Sequence, residues 1–264
     1  MFPFLNLHFF QLPMYGVSIV TGILLAGLLG GFLCKKDNKD IYNLILISAL
    51  VLGFGFVFAK ILYILVSYPI KDFFKVVYRI LFESRSEFAS GFVFYGGLIG
   101  GAIGYFAGIK IAKCKFSDFV NIYAVLIPLV HGFGRIGCFC AGCCYGIPYD
   151  GFLSVHYTHP LSSVPTGIGI FPVQLVEAVL LILLSLLLLV LFLKNKKSLL
   201  GVYLCVYAVI RFALEYLRFD AERGHVGFLS VSQFISVIMI IIGITILLYN
   251  RVKSSNMSEQ KINC

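Results

Sequence analysis

The sequence predicts an all-helical, polytopic integral membrane protein, and three observations carry that prediction. Hydrophobic residues fill 60% of the 264 positions, 12% are charged, and the mean hydropathy is +0.97, a balance outside the range of soluble globular chains. Apolar runs of about the 20 residues that a helix needs to cross a bilayer recur near 12–34, 43–67, 91–112, 119–140, 172–193, 199–218 and 228–249. Lysine and arginine gather in alternate connections between those runs, as the positive-inside rule requires.

Taken in order, the first run follows an uncharged stretch with Asn6 and His8 and no small-residue cleavage site, so it reads as a retained span and not a signal peptide. Lys35, Lys36 and Lys39 follow it; Lys110, Lys113 and Lys115 follow the third run; Lys194, Lys196 and Lys197 follow the fifth; Arg251, Lys253 and Lys261 lie beyond the seventh. These regions are assigned to the cytoplasm, which places the amino terminus outside and the carboxyl terminus inside. The connection 147–171 has no lysine or arginine and is an extracytoplasmic loop, rich in glycine, proline and serine, that arches over the cleft. Between the second and third runs, 70–88 has apolar residues at helical spacing with Lys71, Lys75 and Arg79 on another face, the pattern of an interfacial amphipathic helix. The expected organisation is one seven-helix transmembrane domain over 1–250 and a polar, disordered cytoplasmic tail over 251–264. The net charge of +9 then reports topology and attraction to anionic lipid, with no nucleic-acid partner implied.

The segment GRIGCFCAGCCYG, Gly134 to Gly146, ends the fourth run. An ionised guanidinium at bilayer depth costs several kcal/mol unless it meets water, a carboxylate or an anionic ligand, so Arg135 is a functional candidate. Gly134 and Gly137 beside it admit a close backbone approach. The topology puts Tyr15, Tyr95, Gln174, Glu177, Arg211, Glu215 and Arg218 at the same level, in the outer half of the bilayer. Arg211, Glu215 and Arg218 follow i, i+4, i+7 spacing, which stacks them on one helical face. Arginines with a carboxylate suit an anionic head group, because a guanidinium forks onto phosphate. Structural readings stand beside this one: Arg218 and Arg223 snorkelling to water, an Arg211–Glu215 salt bridge, Gln174 and Glu177 as an interhelical polar contact, and Lys60 either snorkelling or paired with a carboxylate such as Glu177.

The cysteines at 138, 140, 143 and 144 admit packing, redox and metal-ligand readings. Their spacing departs from the paired CxxC units of structural zinc sites, so no metal is assigned. Cys140 and Cys143 form the step CAGC, a thiol–disulfide candidate on the oxidising outer side. His156 and His159 in the loop are left without a metal, and Cys34, Cys114, Cys205 and Cys264 without a role.

In its motifs the chain resembles the bacterial prolipoprotein diacylglyceryl transferases. The matching stretches are Tyr15–Gly16, YGGLIGG from Tyr95 to Gly101, GRxG from Gly134 to Gly137, PVQLVEA from Pro172 to Ala178, and the RxxxExxR of Arg211, Glu215 and Arg218. The resemblance implies a multi-pass enzyme of the bacterial cytoplasmic membrane with its active site facing the outer leaflet. Such an enzyme moves the sn-1,2-diacylglyceryl group of phosphatidylglycerol onto the lipobox cysteine thiol of a preprolipoprotein signal peptide, releases glycerol 1-phosphate, and uses no cofactor. By matched position, Arg135 binds phosphate, Arg211 neutralises the leaving group and Glu215 orients an arginine. Tyr15, Gly96, Gly97, Gly134, Gly137, Gln174, Glu177 and Arg218 then line the lipid site.

The chain departs from that family at two places. Tyr95 stands where the best-known members carry histidine, and GCFCAGC stands for their GNFINGE, with Cys138 at the asparagine and Cys143 at the glutamate. A phenol of pKa about 10 is a poor proton acceptor. His131, one turn before Arg135, is the alternative acceptor, although a thiol of pKa about 8.5 beside guanidiniums needs little help to ionise. Three other functions fit the same residues: a head-group transferase with another acceptor, a non-catalytic phospholipid binder, and a thiol oxidoreductase built on the cysteines.

Overall fold

The structure is a computed structural model and describes residues 4–7, 10–83, 93–158, 164–196, 198–219 and 225–262; the side chains at 5–7, 10, 94, 95, 225, 226 and 254–262 lie outside that description. Its helices among the described residues are α1 Met14–Lys36, α2 Ile41–Ser67, α3 Phe73–Phe82, α4 Phe94–Ile111, α5 Phe116–Ala141, α6 Val173–Leu193, α7 Leu199–Leu214 and α8 Val231–Ile262. Among the described residues, six segments are long and apolar enough to cross a membrane: α1, α2, α5, α6, Leu199–Leu217 and Val231–Lys253. The seventh expected run, 91–112, appears as α4, an apolar helix of 18 residues. The protein is therefore a multi-span, all-helical membrane protein. Its polarity is inverted relative to a soluble fold, for Leu28 is 75% exposed while Glu177 is 0% exposed.

The chain divides into two compact units, 31–119 and the combination of 1–30 with 120–264. In the first, α2 packs along α4 through Gly96, Gly100, Gly104 and Gly108, one glycine per turn. A Cβ at the first three would run into the backbone of Phe58, Phe54 and Leu50, and at Gly108 it would press on Ile47. With no side chain between them the helices approach as closely as backbones allow, which is how helices associate where water cannot drive them together. Asp40 caps α2 by accepting from the Tyr42 amide at 2.9 Å, and Lys39 pairs with Asp118 at 3.0 Å. The amphipathic helix expected over 70–88 is a 3₁₀ turn, Ile70–Asp72, followed by α3; it buries Val76 and Ile80 against Ile64 and leaves Phe74 and Phe82 exposed.

In the second unit, α1 meets α5 where Gly22 lies under Phe133 and Gly137 lies under Tyr15. Gly132 lets α5 approach the Ala178 carbonyl of α6, and Ser185 donates to the Val125 carbonyl at 2.8 Å. Next, α6 packs on α7, and α7 on α8. Short antiparallel hairpins precede helices: Phe4–Leu7 with Phe10–Pro13 before α1, Val155–His156 with Gly169–Ile170 before α6, and His225–Val226 with Leu229–Ser230 before α8. A capping box starts α8: the Gln233 amide donates to Ser230 Oγ at 3.2 Å and the Ser230 amide to Gln233 Oε1 at 3.0 Å. The helix then runs to Ile262, past the point where the sequence places a disordered tail, because residues such as Lys, Glu, Gln and Met extend an established helix at little cost.

Candidate active site

Glu177, in the second turn of α6, is the centre of a buried charge cluster. Arg135 Nε on α5 lies 3.1 Å from Glu177 Oε2, Arg218 Nη1 lies 3.7 Å from the same oxygen, and His131 Nε2 lies 4.0 Å from Oε1. Neither carboxylate oxygen receives a well-directed hydrogen bond from the described residues, so the two arginine contacts with Glu177 rest on charge. His131 also meets the Tyr207 ring edge-on, with centroids 5.4 Å apart.

A second group sits at the end of α7. Arg211 Nη2 approaches Glu215 Oε2 at 2.6 Å and donates to Ser232 Oγ, in the first turn of α8, at 2.8 Å. Arg211 is 7% exposed, and its Nη1 has no hydrogen-bond partner among the described residues. Across both groups, the ion pairs among the described residues join three arginines to two glutamates. Away from water an unused guanidinium donor costs free energy, and Arg211 Nη1 can give its hydrogen bond to an anion.

The expected single helical face for Arg211, Glu215 and Arg218 is only partly realised. The α-helix ends at Leu214, Glu215–Leu217 form a 3₁₀ turn, and Arg218 is extended with φ −97° and ψ 143°. Arg218 instead pairs in an antiparallel bridge with Gly146. Main-chain bonds extend this pairing: the Ile147 amide donates to the Leu217 carbonyl at 3.1 Å, and the Phe171 amide to the Ile147 carbonyl at 3.0 Å. Position 146 must be glycine there, since a Cβ would collide with the carbonyls of Phe171 and Leu217. This local sheet, and not helical spacing, brings Arg218 to Glu177.

The cysteine segment is the C-terminal cap of α5. The Cys143 amide donates to the Cys138 carbonyl at 3.1 Å and the Gly142 amide to the Phe139 carbonyl at 3.2 Å, the two bonds of a Schellman motif, with Gly142 at φ +76° where that motif places glycine. Cys144 follows at φ +59°, a left-handed conformation that costs a non-glycine residue about 1 kcal/mol or more. The turn gathers the Sγ atoms of Cys138, Cys143 and Cys144 within 4.8 Å of one another. Cys140, paired with Cys143 in the sequence reading, is not in that group. Hydrogen bonds from Cys138 and Cys143, then the charges of Arg218 and Arg135, hold the Cys144 thiol below the usual thiol range.

Gln174, fully buried, ties this cap to the following loop: its Nε2 donates to the Cys143 carbonyl at 2.8 Å and to Tyr157 Oη at 3.2 Å. Tyr157 packs with Val164 and Ile170, and burial pushes its phenol up to about 12. Gln174 thus holds the cap to the loop, rather than making the helix-to-helix contact its position suggested. Tyr15 contacts Gly137 through its ring and backbone, whereas a Cβ at Gly134 would meet nothing within 4 Å. Gly96 and Gly97 lie on the α2–α4 seam, with Gly96 against the Phe58 carbonyl and Gly97 near Ala59. Lys60 lies over the Tyr63 ring at 5.1 Å. The Tyr95 side chain, His159 and Arg223 fall outside the described residues. Sequence reasoning missed Ser232, Gly146 and Tyr157; of these, Ser232 was accessible through the SVSQ cap that seats it.

A model of the prolipoprotein diacylglyceryl transferase family matches residues 3–249. The chain is 37% identical, over 87% of its length and 90% of the relative's, to a phosphatidylglycerol–prolipoprotein diacylglyceryl transferase of Clostridium tetani. It is 35% identical, over 94% of both chains, to a second protein of that name from Clostridium perfringens. A Dehalococcoides mccartyi protein of the same name is 26% identical over 90% of this chain.

Proposed function

Since the chain belongs to the prolipoprotein diacylglyceryl transferase family, we propose that it transfers the sn-1,2-diacylglyceryl group of phosphatidylglycerol to the lipobox cysteine thiol of a preprolipoprotein, releasing glycerol 1-phosphate. The observation that carries the assignment onto this chain is the Arg211 Nη1 donor, unused among the described residues, beside a buried arginine–glutamate cluster. A phosphodiester accepts such donors, so the lipid head group answers it. In this reading Arg135 and Arg218 flank the phosphate, Glu177 holds their positions, and Arg211, braced by Glu215 and Ser232, takes the negative charge that grows on the departing glycerol phosphate. Tyr15, Gly134 and Gly137 border the diacylglyceryl part, and Gly96 and Gly97 shape their helix for close packing. The acceptor sulfur must arrive as thiolate. Tyr95 is a weak acceptor for its proton, and His131 is the imidazole set against the arginine–glutamate cluster, so His131 stands as acceptor unless the thiol is activated otherwise.

We further propose seven crossings in a single transmembrane domain over 1–250, the amino terminus outside, the 251–264 tail in the cytoplasm, and the site in the outer leaflet of a bacterial cytoplasmic membrane; the lysine and arginine distribution supports this orientation. The test is transfer from labelled phosphatidylglycerol to a lipobox peptide by the purified protein, beside Arg135→Ala and Glu215→Gln. A thioether product with matching release of glycerol phosphate, lost in Arg135→Ala, is the expected result. Phosphatidylglycerol binding without product would assign the chain to lipid binding.

A further inference from the structure

The cysteine cap of α5 holds a site that the charge cluster does not account for. We propose that Cys138, Cys143 and Cys144 bind one zinc ion with an open fourth position, and that this position takes the acceptor's thiol and presents its sulfur as a thiolate. The metal site stands on the thiol geometry alone; its use on an acceptor thiol rests on the transfer reading above.

Three features support it. Zinc–thiolate bonds of about 2.3 Å put sulfurs around one ion about 3.8 Å apart, so three Sγ atoms already within 4.8 Å need only small side-chain rotations to close on it. Cys143 and Cys144 are half-buried beside a more enclosed Cys138, which leaves a path for an ion and a fourth ligand. Gln174 fixes the turn from behind by its bond to the Cys143 carbonyl, the kind of outer support that orients metal ligands. A disulfide explains the group less well, because it would join two sulfurs and strand the third.

The chemistry balances without an oxidant. Three protein ligands and an open position describe a catalytic zinc site, and a thiol that coordinates such an ion gives up its proton. That proton leaves to water. The bound sulfur attacks the glyceryl carbon that carries the phosphate, the carbon–sulfur bond forms as the carbon–oxygen bond breaks, and the electron pair departs on glycerol phosphate toward the arginines. The neutral thioether product is a poor ligand and comes off the metal. A strong base at position 95 is then unnecessary, which fits a tyrosine there.

Purified full-length protein in detergent and reductant tests this directly. Zinc should be retained at about one per chain, and added Zn²⁺ should shield Cys138, Cys143 and Cys144 from alkylation, read by mass spectrometry, while Cys140 still reacts. Co²⁺ in place of zinc should give thiolate charge-transfer absorption, lost in Cys143→Ser and Cys144→Ser and kept in Cys140→Ser and Cys205→Ser. A lipobox cysteine peptide should alter those bands and its serine counterpart should not. Failure of Zn²⁺ to protect the wild-type cysteines, which requires no variant to fold, overturns the metal site, as does a Cys143–Cys144 or Cys138–Cys143 disulfide in protein from cells. Metal binding with bands indifferent to the cysteine peptide overturns thiol activation. Bands that respond while phosphatidylglycerol yields no product uphold the inference and overturn the donor assignment instead.

Discussion

The α2–α4 seam and the Glu177 cluster solve opposite problems within one membrane protein. Along the seam, Gly96, Gly100, Gly104 and Gly108 remove every obstacle between two helices, and the contact is backbone against apolar backbone. Around Glu177, charged side chains are buried at ranges of 3.1 to 4.0 Å without good hydrogen-bond direction. The seam leaves nothing for a ligand to satisfy. Beside the cluster, Arg211 keeps a donor unused among the described residues, which separates a region selected for contact from one selected for binding.

The largest effect should come from filling the seam. Gly104→Leu would drive a side chain into the Leu50 backbone; several kcal/mol of overpacking should abolish recovery of folded protein, read by size exclusion in detergent. Glu177→Ala should follow, since removing one partner of a buried ion pair costs about 3–5 kcal/mol; its melting temperature, and that of Glu177→Gln, which removes the same charge, should both fall well below that of the unsubstituted protein. Arg135→Ala should leave the fold and lower transfer about 10²–10³-fold, the size of one lost donor to developing charge. Ser232→Ala, which removes the brace on Arg211, should cost about 1 kcal/mol and slow transfer several-fold, more in turnover than in lipid affinity. Gly134→Ala should be smallest: the added methyl group meets no protein atom within 4 Å, so an unchanged melt with a raised KM for lipid would place the acyl chains at that face. If Gly104→Leu folds normally, or Glu177→Ala loses no stability, the contrast between the regions collapses.

Much of this was legible in the sequence because hydrophobic transfer dominates a membrane protein and is read from composition. Six of the expected apolar runs appear as long apolar helices, and Arg135, Glu177 and Arg218, expected at one level, meet in one cluster. The pairing of Arg135 with Glu177 was not legible, because depth fixes height and not which helix faces which. Arg218 was assigned to a helical face by its spacing, yet the helix stops at Leu214 and a bridge to Gly146 carries the arginine inward. CAGC drew attention to Cys140 and Cys143, whereas the Schellman turn groups 138, 143 and 144, and that grouping depends on backbone angles at Gly142 and Cys144. The glycines of YGGLIGG read as lipid-site residues by resemblance alone, and it is the position of α2 that puts Gly96 against the Phe58 carbonyl.

The bridge at Gly146 gives this short chain an unusual genetic architecture. One flank of that glycine continues the cysteine cap, and across it lies Arg218. A variant at 146 would not act as a point lesion in either neighbourhood: it would shift both together, and no single second-site change in one would restore the other. Suppressors of Gly146 substitutions should therefore arise in the opposing strands around Phe171 and Leu217, whose carbonyls crowd the missing side chain, and seldom among the arginines or cysteines themselves.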